Sequence, residues 1–206
     1  MRSTAKMKGN IYIFTGPSGA GKSSVINELR KRVAGLGYSV SYTSRPPRHN
    51  ETDGFDYHFV SEETFHKMKN EGAFVEWAKV YDHLYGTSTE ILRSQTEKGL
   101  DVILDVDSQG AKNIRESFQN SILIYILPPS LEILEQRLKA RGTDSADVIS
   151  NRIKKAIDDL RDCEWYDYLI INDTLEKAVG EAKSVILSSR CRNSRMLPVV
   201  KEMFRI

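Results

Sequence analysis

The stretch from Gly16 to Ser24 reads Gly-Pro-Ser-Gly-Ala-Gly-Lys-Ser-Ser. The spacing G-x-x-x-x-G-K-S is typical of a loop that wraps the phosphates of a nucleoside triphosphate. Glycines lack a Cβ, so the backbone can curl tightly and direct several N–H groups at one anion. Lys22 would bring a positive charge to the β- and γ-phosphates, and Ser23 would offer a hydroxyl to Mg²⁺. The alternative is a chance glycine-rich turn between a strand and a helix.

The residues on either side of this loop support the first interpretation. Residues 11–15, Ile-Tyr-Ile-Phe-Thr, are apolar and rich in β-forming side chains, as in a buried parallel strand. After the loop, apolar residues recur at helical spacing, at Val25, Ile26, Leu29 and Val33. The order strand, loop and helix is the context that the motif requires, and the amino end of the helix favours negative charge.

Four more segments are predicted to be buried strands, and helical patterns lie between them. These segments are residues 39–42, 101–105, 122–127 and 168–171. Ser61 is predicted to cap one of the helices. Strands that alternate with helices predict an α/β fold with a parallel sheet and helices on both faces. In such sheets ligands bind beyond the carboxyl ends of the strands.

Two stretches depart from this alternation. Residues 43–88 combine aromatic residues, arginine, proline and glycine, and are predicted to be an inserted substrate lobe. Residues 131–160 are highly charged and form either a basic lid or an ordinary solvated pair of amphipathic helices.

Composition narrows the class of protein. The 206 residues include 40% hydrophobic residues, enough for a sizeable core, and the formal net charge of +2 argues against a general nucleic-acid coat. The two cysteines, Cys163 and Cys191, form no metal motif and no disulfide framework. We see no secretory signal and no apolar run of membrane length, so we expect a cytoplasmic protein without nucleic-acid or membrane partners.

A second anion site is predicted in the segment from Ser41 to Val60. Arg45 and Arg48 flank a stiff Pro-Pro pair, and planar guanidinium groups suit bidentate contact with a phosphate. The hydroxyls of Ser41 and Tyr57 can complete the cage. A plain surface loop, with Tyr57 in a small core, is the alternative.

Together these motifs resemble those of guanylate kinases, and the resemblance extends from Asn10 to about Arg192. The matching motifs are G-P-S-G-A-G-K-S-S at 16–24, S-Y-T-S-R-P-P-R-x-x-E-x-D-G-x-D-Y-x-F-V at 41–60, Y-G-T from 85, L-D-V-D-x-Q-G from 104, R-x-x-x-R-G-T from 137 and I-N-D from 171. The resemblance implies a P-loop NTPase-type sheet with an inserted mixed α/β GMP-binding lobe and a helical lid. It thus favours the lid over the solvated helix pair. It also implies a single domain, divided into a core (9–40, 89–130 and 161–206), a lobe (41–88) and a lid (131–160).

On the acceptor side, the resemblance implies a set of GMP-binding residues, which are Ser41, Arg45, Arg48, Glu51, Tyr57, Glu76, Tyr85, Thr87 and Asp107. Glu76 matches the acid that reads guanine, whose N1–H and 2-amino group are adjacent donors that one carboxylate can accept. Thr87 matches a position that is often Ser in relatives, so it departs mildly from the family. Adenine would leave Glu76 badly paired, which disfavours AMP.

On the donor side, the resemblance implies that ATP is bound by the phosphate loop and by two residues beyond it, namely Gly16, Pro17, Ser18, Gly19, Ala20, Gly21, Lys22, Ser23, Ser24, Arg137 and Asn172. The residues expected to act in catalysis are Lys22, Arg45, Arg141 and Arg152. Ser23 and Asp105 are expected to hold Mg²⁺, the acid either directly or through water. Either Asp105 or Asp107 can be the main acid on the metal side, and both can instead cap the helix that follows. Asn172 can equally be a turn former.

The implied reaction is the reversible transfer of the ATP γ-phosphoryl group to GMP or dGMP, with Mg²⁺, in purine nucleotide metabolism. Two other functions remain open: a kinase for another nucleoside monophosphate, and a non-catalytic binding module like the guanylate-kinase-like domains of scaffold proteins. A monomer and a homodimer are both compatible with the sequence.

Overall fold

The structure is a computed structural model that describes residues 7–49, 51–80, 82–140, 145–161 and 163–206. The strands in these residues are β1 (Ile11–Thr15), β2 (Leu36–Tyr38), β3 (Tyr42–Thr43), β4 (His58–Phe59), β5 (Phe74–Val80), β6 (His83–Ser88), β7 (Asp101–Asp105), β8 (Ile122–Leu127) and β9 (Tyr168–Ile171). The helices are α1 (Lys22–Arg32), α2 (Glu62–Asn70), α3 (Thr89–Glu97), α4 (Ser108–Ser117), α5 (Leu131–Ala140), α6 (Ala146–Arg161), α7 (Leu175–Arg190) and α8 (Asn193–Phe204). None of these described helices is both long and apolar enough to span a bilayer.

The main sheet contains five parallel strands in the order β2-β7-β1-β8-β9. The central strand β1 is buried along its whole length. Apolar side chains of α1 and α7 cover one face of the sheet, and those of α3 and α4 cover the other. The predicted α/β fold, a parallel sheet with helices on both faces, is confirmed. Its register aligns Phe14 with Asp105 and Thr15 with Tyr125, so the carboxyl ends of three strands lie side by side.

The predicted strand over residues 39–42 is wrong. The structure has β2 and β3 there instead, and residues 39–41 cross from the main sheet to a second sheet. The N–H of Ser39 still donates to Ile103 of the main sheet, whereas Tyr42 already pairs with Gly86 and His58 in the second sheet. The other predicted strands are confirmed. However, β9 lies at the edge of the sheet and is not fully buried, since Leu169 and Ile171 are each 51% exposed.

The second sheet has four strands in the order β4-β3-β6-β5 and a mixed pattern of pairing. Helix α2 packs on it through Phe65, which is fully buried and stacks on Phe74 with 4.6 Å between ring centroids. Ser61 caps α2 by accepting a hydrogen bond from the N–H of Thr64, as predicted. The second sheet thus has its own small aromatic core.

Helices α5 and α6 pack on each other through a separate apolar cluster that contains Leu134, Leu138, Ile149 and Ala156. Leu134 and Leu138 also touch the phosphate loop, because a Cβ added to Gly19 would lie 2.9 Å from the Leu134 Cδ1. The division of the chain into core, lobe and lid, and the movement that a lid implies, remain predictions.

Candidate functional site

A cavity of about 560 Å³ lies between the two sheets, at the carboxyl ends of β1 and β7. Its wall on the main sheet comes from the phosphate loop and the loop after β7, and its opposite wall comes from β5, β6 and the segment before β3. Helix α6 closes a third side. The predicted site residues on the wall are Gly16, Pro17, Ser18, Gly19, Gly21, Lys22, Ser23, Ser24, Ser41, Tyr57, Glu76, Tyr85, Asp105, Asp107 and Arg152.

The phosphate loop bends sharply around its glycines. Gly16 has a φ of 136°, and a Cβ there would lie 2.2 Å from the carbonyl oxygen of Ile126, so only glycine fits. The Lys22 Nζ donates to the Gly16 carbonyl at 2.8 Å and lies 4.0 Å from the Asp105 carboxylate. The ammonium is thus held over the loop, at the mouth of the cavity.

Helix α1 begins directly at Lys22, after Gly21 in the left-handed conformation. In the described chain no side chain caps this helix, so its first N–H groups have no side-chain acceptor and the helix dipole adds positive potential there. Ser23 and Ser24 are exposed on the same turn. An amino end of this kind is suited to bind an anion.

Asn172 supports the phosphate loop from behind. It is buried, and its Nδ2 donates to the Ala20 carbonyl at 2.7 Å. A Cβ on Gly21 would lie 2.2 Å from the same nitrogen, so the two residues pack tightly. Arg137 in turn donates to the Asn172 carbonyl at 3.0 Å. Asn172 is thus a structural support of the loop, and the contacts of Arg137 and Asn172 with ATP remain predictions.

Asp105 and Asp107 occupy different environments. Asp107 caps α4, where its Oδ1 accepts from the Gly110 N–H at 2.8 Å. Asp105 does not cap that helix and faces Lys22 across the cavity mouth. Burial raises the pKa of Asp105, and the Lys22 ammonium opposes that rise. Of the two acids, Asp105 is thus the one beside the phosphate loop.

The donors present fit Mg²⁺ bound together with a nucleotide. Ser23 offers an exposed hydroxyl and Asp105 a carboxylate, and both line the cavity. Among the described residues no group of three or more His, Cys, Asp or Glu side chains could hold a metal ion alone. Mg²⁺ commonly keeps several waters and binds one or two protein groups plus substrate phosphates, so this sparse donor set suits it.

On the acceptor side, the Arg45 guanidinium is held by several neighbours. Its Nη2 donates to Glu51 at 2.8 Å, its Nε donates to the Tyr85 hydroxyl at 3.3 Å, and its guanidinium lies 5.5 Å from the centre of the Tyr57 ring. The second carboxylate oxygen of Glu51 accepts from the Arg48 N–H. Arg45 is thus fixed behind the tyrosines that line the cavity.

Several predicted residues do not reach the cavity wall. The described residues on that wall do not include Ala20, Arg45, Arg48, Glu51, Thr87, Arg137 or Asn172. Arg48 is exposed, and only its backbone N–H is tied to Glu51. Arg141 lies outside the described residues. The roles of all these residues in binding or catalysis remain predictions.

Glu76 is a buried carboxylate on β5, 8% exposed. The Thr87 hydroxyl on β6 donates to its Oε1 at 2.5 Å. Burial raises the pKa of Glu76 to about 7. The Thr87 hydrogen bond opposes this rise, and the nearby charge of Asp107 adds to it. A buried acid of this kind is suited to accept hydrogen bonds from a ligand that offers adjacent donors.

Comparison with known proteins agrees with this geometry. The family model described as guanylate kinase matches residues 8–189. The chain belongs to the guanylate kinase family. It is 46% identical over 199 residues to the guanylate kinase of Geobacter sulfurreducens, with 97% of this chain and 98% of that protein covered.

Two further relatives give the same result. The guanylate kinase of Legionella pneumophila strain Paris is 46% identical over 184 residues, which cover 89% of this chain and 88% of that one. The crystal structure of guanylate kinase from Anaplasma phagocytophilum matches with a TM-score of 0.78 at 29% identity, and covers 98% of both chains. The predicted family and fold type are therefore confirmed.

In this member of the guanylate kinase family, α6 contributes more to the site than the sequence predicted. Arg152 donates from its Nη1 to the Ser18 hydroxyl at 3.0 Å. Lys155 and Asp159 line the same cavity, and neither was predicted as a site residue. The spacing of Arg152, Lys155 and Asp159 places them on one face of a helix, which is the signal that could have identified them.

Proposed function

We propose that the chain transfers the γ-phosphoryl group of ATP reversibly to GMP, and to dGMP, giving ADP and GDP or dGDP. Membership of the guanylate kinase family supports the reaction. The observation that carries the proposal is the single cavity that places Lys22 of the phosphate loop opposite Glu76 and Tyr85 of the second sheet. A donor and an acceptor nucleotide bound at these two walls would meet end to end.

The acceptor wall has groups for both ends of GMP. Ser41, Tyr57 and Tyr85 line the cavity, and their hydroxyls can donate to the 5′-phosphate. Arg45 lies behind the tyrosines, bonded to the Tyr85 hydroxyl, and adds positive charge. At the other end, deprotonated Glu76 accepts the N1–H and 2-amino donors of guanine.

The donor wall binds and orients the ATP phosphates. The N–H groups at the start of α1, which no side chain caps, would bind the β- and γ-phosphates together with the curled loop and Lys22. Ser23 and Asp105 would hold Mg²⁺, which when bound offsets negative charge on those phosphates. Arg152, already in contact with Ser18, is placed to stabilise charge on the transferred group. We expect alignment and electrostatics, with no covalent protein intermediate, to account for catalysis.

Glu76 argues against the rival substrates. AMP presents an acceptor at N1 and has no 2-amino group, so a buried carboxylate would face an acceptor. A non-catalytic binding module is disfavoured because Lys22, Ser23 and Asp105 are all present around one cavity. A monomer and a homodimer are both compatible with this proposal. We place this activity in the cytoplasm, in purine metabolism and the recycling of GMP.

A coupled assay for ADP formation tests the proposal. Purified protein is given ATP and Mg²⁺ with GMP, dGMP, AMP, UMP or CMP, and each reaction is repeated after chelation of the metal. We expect turnover with GMP and dGMP that exceeds turnover with AMP by roughly 10⁴-fold, and that is lost on chelation. No ADP formation with GMP in a folded sample would overturn the proposal and revive the binding module. Preference for another monophosphate would favour a different nucleotide kinase.

A further inference from the structure

Gly110 lies against the carboxylate that is proposed to read guanine. It is a buried residue in the first turn of α4, and its N–H donates to Asp107. A Cβ added to Gly110 would lie 3.1 Å from the Glu76 Oε2, 3.3 Å from the Asp107 Oδ1 and 3.3 Å from the Val106 Cβ. A side chain at position 110 would thus meet three neighbours at once.

These neighbours differ in how easily they can move. The Val106 Cβ is attached to the backbone, and the Asp107 Oδ1 is held by the N–H of Gly110 itself. The Oε2 of Glu76 is the end of a flexible side chain, so it is the atom that would yield. The other oxygen of Glu76 is bound to Thr87 at 2.5 Å, so a shift of Oε2 would rotate the carboxylate about that anchor.

We propose that Gly110 is a positioning residue for guanine selection. Because it has no side chain, the Glu76 carboxylate can lie flat against the first turn of α4, with both oxygens presented to the two adjacent donors of guanine. This inference rests on the proposed function, and names a determinant of specificity outside the set of residues that bind the substrate. The backbone conformation does not require glycine here, because Gly110 is not among the glycines with positive φ. Glycine is thus favoured at position 110 by the space that a Cβ would take from its neighbours, of which the Glu76 Oε2 is the nearest.

Inosine monophosphate (IMP) distinguishes a misaligned Glu76 carboxylate from a general loss of nucleotide binding. It keeps the N1–H donor and lacks the 2-amino group, so it needs only one well-placed oxygen. A rotated carboxylate should therefore penalise GMP more than IMP. A merely structural defect in α4 would lower both activities by the same factor.

The experiment compares Gly110→Ala with Gly180→Ala. Gly180 lies within α7, is exposed, and has no atom within 4 Å of an added Cβ, so it controls for the helix propensity of alanine. For Gly110→Ala we expect kcat/KM for GMP to fall by about tenfold, since errors of a few tenths of an ångström degrade a two-point contact. The KM for ATP should stay at the wild-type value, and the ratio of GMP to IMP activity should fall. Gly180→Ala should match the wild type in kcat/KM for GMP, in the KM for ATP and in the ratio of GMP to IMP activity.

A double-mutant cycle tests whether the effect passes through Glu76. In a Glu76→Ala background, Gly110→Ala should leave the GMP:IMP ratio unchanged, because no side-chain end remains at position 76 for the Cβ to displace. A further fall of the GMP:IMP ratio in that double variant would overturn the proposal. So would a Gly110→Ala variant that behaves like Gly180→Ala. If the wild type itself does not use GMP, the proposed function is the part that fails.

Near-UV circular dichroism and thermal melts show whether each variant folds. If Gly110→Ala does not fold, the double variant Glu76→Asp with Gly110→Ala tests whether Glu76 is the neighbour that excludes the side chain. The shorter acid leaves more space at position 110. We expect this variant to fold. If it too fails to fold, Val106 and Asp107 exclude the side chain without the help of Glu76, and the proposal is wrong.

Discussion

The two walls of the cavity are built in different ways. Most of the donor wall is one run of consecutive residues, 16–24, in which a curled backbone and the amino end of α1 supply most of the binding groups, and Asp105 joins it from the end of β7. The acceptor wall is assembled from side chains that are far apart in the chain, such as Arg45 with Tyr85 and Glu76 with Thr87. The donor wall, which is mostly backbone, depends on one local conformation. The acceptor wall, which is made of side chains, depends on several long-range contacts at once.

The walls also differ in charge. Lys22 and the start of α1 make the donor wall positive, which suits a polyphosphate. The acceptor wall instead holds a buried acid, Glu76. Burial raises its pKa, and the nearby charge of Asp107, in the loop after β7, adds to the rise. Because the pKa of Glu76 is about 7, binding at the acceptor wall is expected to be sensitive to pH near neutrality.

The largest expected effect comes from removing the one lysine of the donor wall. In Lys22→Ala the charge over the β- and γ-phosphates is lost, and with it stabilisation of the transferred group. We expect kcat to fall by at least about 10³-fold, as when a preorganised electrostatic donor is removed. The coupled assay at saturating ATP and GMP measures it.

Lys31→Ala is the matched control for Lys22→Ala. Lys31 lies on the same helix, is exposed, and bonds to Glu28 on the helix surface. It should keep full activity, and both variants should melt like the wild type. Wild-type turnover by folded Lys22→Ala would defeat the assignment of the donor wall.

The next effect concerns the acceptor wall. In Glu76→Gln an amide NH₂ would face the donors of guanine, so kcat/KM for GMP should fall by about 100-fold. The KM for ATP should change little, because the donor wall does not involve Glu76. Equal losses for GMP and ATP would contradict the division of the cavity into two independent walls.

Stability should respond to Glu76→Gln in the opposite direction. Because the folded-state pKa is raised from 4.5 to about 7, the carboxyl stabilises the fold below 4.5, and this contribution is lost as pH rises through 7. Above pH 7 the variant should therefore be more stable than the wild type, by about 1–3 kcal/mol, and near pH 4.5 the two should converge. Urea unfolding at both pH values measures the difference.

The contrast between the walls also explains what the sequence could predict. The phosphate loop was readable because its geometry is local, with strand, glycines and helix all within residues 11–33. The predicted strand at residues 39–42 failed because the exchange of sheets is decided by pairing with Gly86, which lies far along the chain. Nothing near Asn172 in the sequence indicates that its side chain donates to Ala20, 152 positions away.

The residues of the acceptor wall were predicted mainly from the resemblance of their motifs to a known family, and less from the chemical properties of the individual side chains. Taken alone, Glu76 beside Trp77 looks like a surface carboxylate. Its burial, on β5 beside β6, is what suits it to accept hydrogen bonds from a ligand. The same holds for Glu51, which lies next to Arg45 only after the loop has folded back. Residues Lys155 and Asp159 were missed because the helix face that reaches the cavity is set by how α6 packs.

A fourth prediction concerns the pH dependence of GMP binding. GMP needs deprotonated Glu76, whose pKa is about 7, so its KM should rise by about tenfold when the pH falls from 8 to 6. The phosphate of GMP also titrates near pH 6, and Glu76→Gln controls for that contribution, because only the carboxyl is missing. The KM for ATP measured over the same range serves as the internal reference. A KM for GMP whose profile is the same in the wild type and Glu76→Gln would show that Glu76 is not the group that titrates.

The smallest expected effect is that of a residue that positions a neighbour in the acceptor wall without lining the cavity itself. Glu51 does not line the cavity, but its carboxylate accepts from the Arg45 Nη2 and from the Arg48 N–H, each at 2.8 Å. Glu51→Gln keeps one acceptor oxygen and loses the charge, so Arg45 should be oriented less firmly. We expect the KM for GMP to rise by about threefold, in keeping with the modest worth of a single ion pair, while kcat and the KM for ATP stay unchanged.

Asp56→Asn is the matched control for Glu51→Gln, because it makes the same acid-to-amide change in the same loop. Its carboxylate accepts from the Thr52 N–H at 2.8 Å. If Glu51 acts through Arg45, the rise in KM should be present in Glu51→Gln and absent in Asp56→Asn. It should also vanish in an Arg45→Ala background, because the side chain that Glu51 positions is then gone. An equal rise in both single variants would mean that the loop as a whole, and not this pair, shapes the acceptor wall.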